Sequence, residues 1–405
     1  MGKVLKTGNI LRRRIISPLK EFIHDSRAVG ITLICCTIIS LIVSNSAWAE
    51  PYINFWELEA HIPTPHLHLP HTILHIINDG LMALFFLLVG MEIKRELLIG
   101  ELSSVKKSML PIVGAIGGMV VPATICYIWC GNTPYSGGWG VPMATDIAFS
   151  LGVLSLLGKR APLSLKIFLT ALAIIDDLGA ILAIAIFYTS SLNLMYLGLG
   201  GVVLLALIML NLFKVHRSYI YFILGAVLWY FIFNSGIHAT IAGVLLAFTI
   251  PLKHIHKLET KLHDPVNFII LPLFALANTA IMLPSDFTSI YNSKVHHGIF
   301  MGLVVGKPLG IFLLCFLAVK LRIASLPGNL SWKQIFGLGL VAGIGFTMSI
   351  FIATLAFGEV EVQLISKVAI IGASLVSGIV GFTYLKMLPT PVVVAPDEQY
   401  AMHEE

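Results

Sequence analysis

The sequence predicts an all-α membrane protein that crosses the bilayer many times, and three observations predict it. Of its 405 residues 57% are hydrophobic and only 12% charged, with a mean hydropathy of +0.91, which leaves too little polar surface for a soluble fold of this length. Apolar runs that match the thickness of a hydrocarbon layer recur along the whole chain. Finally, the lysines and arginines cluster in the segments between alternate runs, as they do where loops stay on the cytoplasmic side.

The runs lie near residues 29–43, 72–93, 109–130, 141–157, 163–187, 194–213, 219–234, 236–251, 266–283, 297–319, 334–357 and 362–385. Lys3, Lys6, Arg12, Arg13, Arg14, Lys20 and Arg27 precede the first, so the N-terminus is expected inside. Counting twelve spans from there puts all but three of the 26 basic residues inside. Lys294 and Lys367 fall outside, and Lys307 lies within a span. The expected organisation is a basic cytoplasmic segment over 1–28, a transmembrane domain over 29–388 and a cytoplasmic tail over 389–405. The formal charge of +5 therefore reads as topology rather than as a nucleic-acid footprint. Ala47-Trp-Ala49 imitates a signal-peptidase site, but the basic lead is long for such a signal and the first helix is expected to be retained. The five cysteines all fall in apolar segments, without a zinc pattern, and read as ordinary buried thiols.

Two spans are unlike the rest. The fourth carries Pro142, Thr145, Asp146 and Gly152 near its middle, and the eleventh Gly343, Gly345, Thr347 and Ser349. Proline removes a backbone donor and glycine has little helix propensity, so both helices are expected to break at mid-membrane around Pro142, Gly343 and Gly345. Broken backbone is tolerated at that depth only where protein or a water-filled cavity surrounds it. If spans three to five and ten to twelve are two copies of one unit, the breaks correspond and the copies are inverted, which points to a secondary transporter with its site at the crossing.

Charges inside the spans carry the functional reading. Asp176 and Asp177 sit midway along the fifth run, where each ionised side chain costs roughly 2.5–3.5 kcal/mol. Consecutive residues are about 100° apart around a helix, so the two cannot face one partner. One is expected to bind the transported ion while the other meets Lys307, the mid-span lysine of Gly306-Lys-Pro-Leu-Gly310. Asp146, at the fourth-span break, reads either as a partner of exposed helix dipoles or as part of the ion path. Asp79 lies in the second span, where it lines an access route or is satisfied by neighbouring helices. Glu92, with Lys94, Arg95 and Glu96, reads as a solvated cluster at the inner end of that span. His238 is a pH-responsive candidate, although a lone histidine is more often a packing residue. The outer loop holding His61, His66, His68, His71 and His75 reads as an extended, proline-punctuated connection rather than as a metal site.

Several of these stretches together resemble a known family. Asn78-Asp-Gly-Leu-Met-Ala-Leu-Phe-Phe-Leu-Leu-Val-Gly-Met-Glu92, Ala144-Thr-Asp146-Ile-Ala-Phe, Leu172-Ala-Ile-Ile-Asp176-Asp177-Leu-Gly, Ser235-Gly-Ile-His238-Ala-Thr, Gly306-Lys307-Pro-Leu-Gly and Gly343-Ile-Gly-Phe-Thr-Met-Ser are similar to the NhaA-type sodium/proton antiporters, over roughly residues 25 to 388. The resemblance implies twelve helices, inverted repeats and crossed, discontinuous helices 4 and 11. It implies Asp177 as principal cation ligand, Asp176 as its neighbour paired with Lys307, and Thr145 and Asp146 at the crossing, with Asp177 and Thr145 on the transported Na+. Glu92, His238 and Glu259 match positions tied to pH response. Further implications are electrogenic exchange of internal Na+, and Li+, for external protons, no cofactor, a homodimer and a bacterial inner-membrane location with both termini cytoplasmic. Met143 departs from the family's usual alanine, and the histidine-rich outer loop is distinctive, which puts dimer contacts in doubt.

Rival classes fare worse. An intramembrane aspartyl protease needs two aspartates on facing helices, and adjacent ones cannot converge on a scissile bond. A sodium-coupled solute symporter needs a substrate-sized polar cavity. No nucleotide-binding motif argues for a primary pump.

Overall fold

Inside a bilayer each backbone amide must find its partner without water, and a helix does so within one segment. The computed structural model describes residues 26–59, 69–189, 192–215, 217–284, 286–327 and 330–389. The basic segment before residue 26, the loop residues His61, His66 and His68, and the tail from residue 390 lie outside the described residues. Among the described residues the chain is helical throughout, with one isolated bridge between Glu59 and Thr72.

The elements in order are α1 (Ser26–Ser44), α2 (Ala49–Glu57), α3 (Ile73–Leu98), α4 (Val105–Cys130), a 3₁₀ helix over Ser136–Met143, α5 (Ile147–Leu156) and α6 (Leu163–Phe187). There follow α7 (Leu194–Leu212), α8 (Ser218–Asn234), α9 (Ile241–Thr249), α10 (252–278), α11 (Lys294–Lys320), α12 (Trp332–Ala342), α13 (Phe346–Ala356) and α14 (Val360–Met387). Helix stands at each of the twelve expected runs. Among the described residues eight stretches are long and apolar enough to cross a membrane by themselves, and the pair α12 and α13, bent by 48°, makes a ninth. The other three runs fall on shorter pieces: α8, α9 and the second half of α10.

One expectation needs correction. Residues 252–265, read as a loop because of Lys253, Lys257 and Lys261, form the first half of α10. Its apolar stripe buries Ile255, and Glu259 beside it, while the lysines stay on the other side, so an amphipathic helix was concealed by its charge. Lys367, counted on the outer side, lies two turns into α14 and is only 9% exposed.

Close backbone approaches hold the helices in register. Gly117 of α4 and Gly310 of α11 face each other so tightly that a Cβ on either would come within 2.2 Å of the other's carbonyl oxygen. Wide π-type turns interrupt α3 at Ile76–Leu81 and α11 at Gly302–Gly306, re-aiming the residues that follow, Lys307 among them.

Gly117→Ala or Gly310→Ala is expected to lower stability by about 1–3 kcal/mol through overpacking, read as a lower Tm of the detergent-solubilised protein. Gly201→Ala, whose added Cβ meets nothing within 4 Å, should leave the Tm unchanged.

Candidate functional site

The fourth and eleventh runs both break, and the breaks meet. Between the 3₁₀ helix and α5 the chain is extended over residues 144–146, and between α12 and α13 it turns at Gly343, Ile344 and Gly345. The Asp146 amide donates to the Ile344 carbonyl at 2.8 Å, tying one break to the other. Glycine is needed here for space rather than for an unusual backbone. A Cβ on Gly345 would lie 2.2 Å from Ser349 Oγ, and one on Gly343 would lie 2.6 Å from the Leu303 carbonyl. Pro142, in the last turn of the 3₁₀ helix, packs so that a Cβ on Gly302 would touch it.

Four helix ends thus lie in the interior with unpaired backbone groups. Asp146 serves the two amino ends: Oδ1 accepts from the Phe149 amide of α5 at 2.9 Å, and Oδ2 accepts from the Thr347 amide of α13 at 3.1 Å and from the Thr347 hydroxyl. A carboxylate is favoured there by the positive ends of both helices. Hydroxyls and Lys307 serve the carboxyl ends. Ser150 of α5 donates to Val341 O of α12 at 3.2 Å, Ser349 of α13 donates to Val141 O of the 3₁₀ helix at 2.8 Å, and the Lys307 ammonium donates to Met143 O. Asp146 is 2% exposed and Lys307 wholly buried.

Lys307 also pairs with Asp176, Nζ to Oδ2 at 3.1 Å, and the Thr145 hydroxyl donates to that same oxygen at 2.9 Å. Asp177 is placed differently. It borders a cavity of about 300 Å³ lined also by Glu92, Asp146, Thr170, Asn267 and Thr347, which reaches the half-exposed His263 and Asp264. Its Oδ1, like Asp176 Oδ1, has no hydrogen-bond partner, a costly condition for a buried carboxyl oxygen. Asp176 does not line this cavity, and the Thr145 hydroxyl is engaged by Asp176 rather than aimed at Asp177. Thr170 and Asn267 went unnoticed in the sequence. Thr170 stands seven residues before Asp177, two turns along the same helix face, and that spacing was the available signal.

At the cavity's other end the cluster read as solvated is built into the protein. Lys94 is buried and donates to the carbonyls of Phe248 at 2.7 Å and Ile250 at 2.6 Å, closing the carboxyl end of α9. Arg95 pairs with Glu259 of α10 at 2.6 Å. Burial pushes the Glu259 carboxyl above the ordinary glutamate range, with Arg95 pulling the other way. On the opposite side of the crossing, Asp79 sits half-buried in the wide turn of α3, and Trp229 donates to its carbonyl at 2.8 Å. His238 donates through Nε2 to the Tyr188 carbonyl at 2.8 Å, so it ties α9's entrance to the end of α6.

Residues 20–385 match the family described as Na+/H+ antiporter 1. The chain belongs to this family. It is 50% identical over 380 residues to the Na(+)/H(+) antiporter NhaA of Cytophaga hutchinsonii, covering 92% of this chain and 96% of that one. Na(+)/H(+) antiporter NhaA 2 of Flavobacterium johnsoniae is 50% identical over 372 residues, covering 90% and 91%. The Na(+)/H(+) antiporter NhaA of Escherichia coli UTI89 is 46% identical over 385 residues, covering 93% and 99%. As a member of the Na+/H+ antiporter 1 family the protein is a polytopic membrane transporter and not an enzyme, and its substrates are Na+ and H+.

Lys307→Met should cost about 3–5 kcal/mol of stability because it leaves Asp176 buried and unpaired. Combining it with Asp176→Asn should restore part of the lost Tm, the Met143 carbonyl remaining without its Lys307 donor.

Proposed function

We propose that Asp177 is the carboxylate at which Na+ and H+ compete, and that alternating access to this site couples their opposite movements. One observation carries the assignment: both adjacent aspartates keep an unpartnered Oδ1, but only Asp177 borders the cavity, whereas Asp176 is held through Oδ2 by Lys307 and Thr145. A carboxylate binds a proton or a sodium ion, so a site that accepts one at a time exchanges them when it faces each side in turn.

Asp176 and Lys307 then act as the charge pair beside the site, drawn apart or together as Asp177 loads. Asp146 keeps the broken helices compatible with an apolar interior throughout, and Asp79 lines the route on the outer side. The exchange expels internal Na+, and Li+ as well, against entering protons. More protons than sodium ions move per cycle, which requires a second proton carrier besides Asp177, and the Asp176–Lys307 pair is placed to be it; the exchange is then electrogenic and serves sodium extrusion and pH homeostasis. No cofactor takes part. Spans three to five and ten to twelve act as inverted repeats within twelve helices, and a homodimer sits in the inner membrane with both termini cytoplasmic. Glu92, His238 and the Arg95–Glu259 pair adjust activity to pH. Since burial raises the Glu259 pKa, the ion pair loses its charge at a pH where an exposed glutamate is still ionised.

In everted vesicles Asp177→Asn is expected to abolish sodium-driven proton movement, and normal exchange by a correctly inserted variant would refute the assignment. In the wild type the apparent KM for sodium should rise about tenfold per pH unit on the acid side of the profile, as competition by one proton requires. Glu259→Gln should shift the pH profile of exchange while leaving maximal exchange within about twofold; an unmoved profile would remove Glu259 from the pH response.

A further inference from the structure

A second cavity, of about 500 Å³ and almost wholly apolar, lies between α1, α5 and α14. Its walls include Ile38 of α1, Phe149 of α5, Phe346 of α13 and Phe382 of α14. Ile38 is 50% exposed, and Leu375 and Ile379 at the rim are 61% and 58% exposed, so the groove opens sideways from helices that span the bilayer. Water gains nothing from such walls, and the surrounding medium is hydrocarbon.

One end of this groove is basic. The α5 end at Leu156 is followed by Arg160, whose guanidinium donates to the Lys386 carbonyl in the last turn of α14. The Lys386 ammonium lies 5.6 Å from the centroid of the Phe382 ring, a wall of the groove. Two exposed basic residues, one bonded to the backbone of the other, therefore stand near the end of the apolar channel.

We propose that this groove binds a membrane phospholipid with an anionic headgroup, one acyl chain lying between α1, α5 and α14 and the phosphate between Arg160 and Lys386. The chain would touch the transport machinery. Phe149 and Phe346 meet edge to face at 5.7 Å, and the Phe346 amide donates to Ser374, another groove residue, at 3.1 Å. Phe346 precedes Thr347, which donates to Asp146. A lipid seated here packs against the first turn of the half-helix whose amino end Asp146 caps.

The test is native mass spectrometry of the full-length protein in detergent, titrated with phosphatidylglycerol or phosphatidylcholine of the same chains. The wild type should hold one phosphatidylglycerol at least about tenfold more tightly than phosphatidylcholine. Arg160→Gln/Lys386→Gln should lose that preference, while Ile38→Trp, which fills the groove, should weaken both lipids. Lys320→Gln/Lys333→Gln, which removes two basic residues elsewhere, should keep the preference. Equal affinity of the wild type for the two lipids, an unchanged preference in the Arg160/Lys386 variant, unchanged binding in Ile38→Trp, or the same loss in the Lys320/Lys333 variant would each overturn the proposal. Thermal melts of each variant without added lipid establish that it is folded.

Discussion

A backbone that stops being helical in the middle of a membrane leaves amides and carbonyls that no water can satisfy, and the rest of this structure follows from that constraint. Four helix ends converge, two of each polarity. Asp146 takes both amino ends through its two oxygens, and Lys307, Ser150 and Ser349 take the carboxyl ends. Dipole and charge compensate each other, so an acidic and a basic side chain are tolerable in a place where either alone would be costly. The two aspartates of α6 are added to a neighbourhood already arranged for charge.

Lys307 has two duties, and they join the helix break to the aspartate pair. It closes the 3₁₀ helix at Met143 and it neutralises Asp176. A change in the charge around Asp176 is therefore felt at the break itself, and a change in the break is felt at Asp176. Thr145 reinforces the link, since its hydroxyl holds Asp176 while its backbone belongs to the extended segment. The 100° turn between neighbouring helical residues leaves Asp177 outside this network, facing the cavity.

The cavity has a second support at its far end. Lys94 fixes α3 to the carboxyl end of α9, and Arg95 fixes it to α10 through Glu259, so the wall carrying Glu92 is braced by helices more than 150 positions further along the chain. A charge run that looked solvated in one dimension is buried because α10, itself hidden by its lysines, folds over it.

Much of this was legible in the chain alone. Membrane spans, the two unusual segments and the singling out of Asp176, Asp177 and Lys307 as buried charges follow from composition and from the high cost of charge in hydrocarbon. The motifs around Asn78, Thr145, Asp176 and Gly343 point to the antiporter family by sequence alone. Other matters depended on tertiary structure. Asp146 capping two helices at once, Thr145 serving Asp176, the role of Thr170 and Asn267, and the helix over 252–265 all depend on segments distant in sequence coming together. Local periodicity reports which face a residue is on, but not what lies across from it. The different surroundings of Asp176 and Asp177 were decided only there: a helix separates the two directions, and the packing of α11 on one side and of α3 and α10 on the other sets what each direction meets.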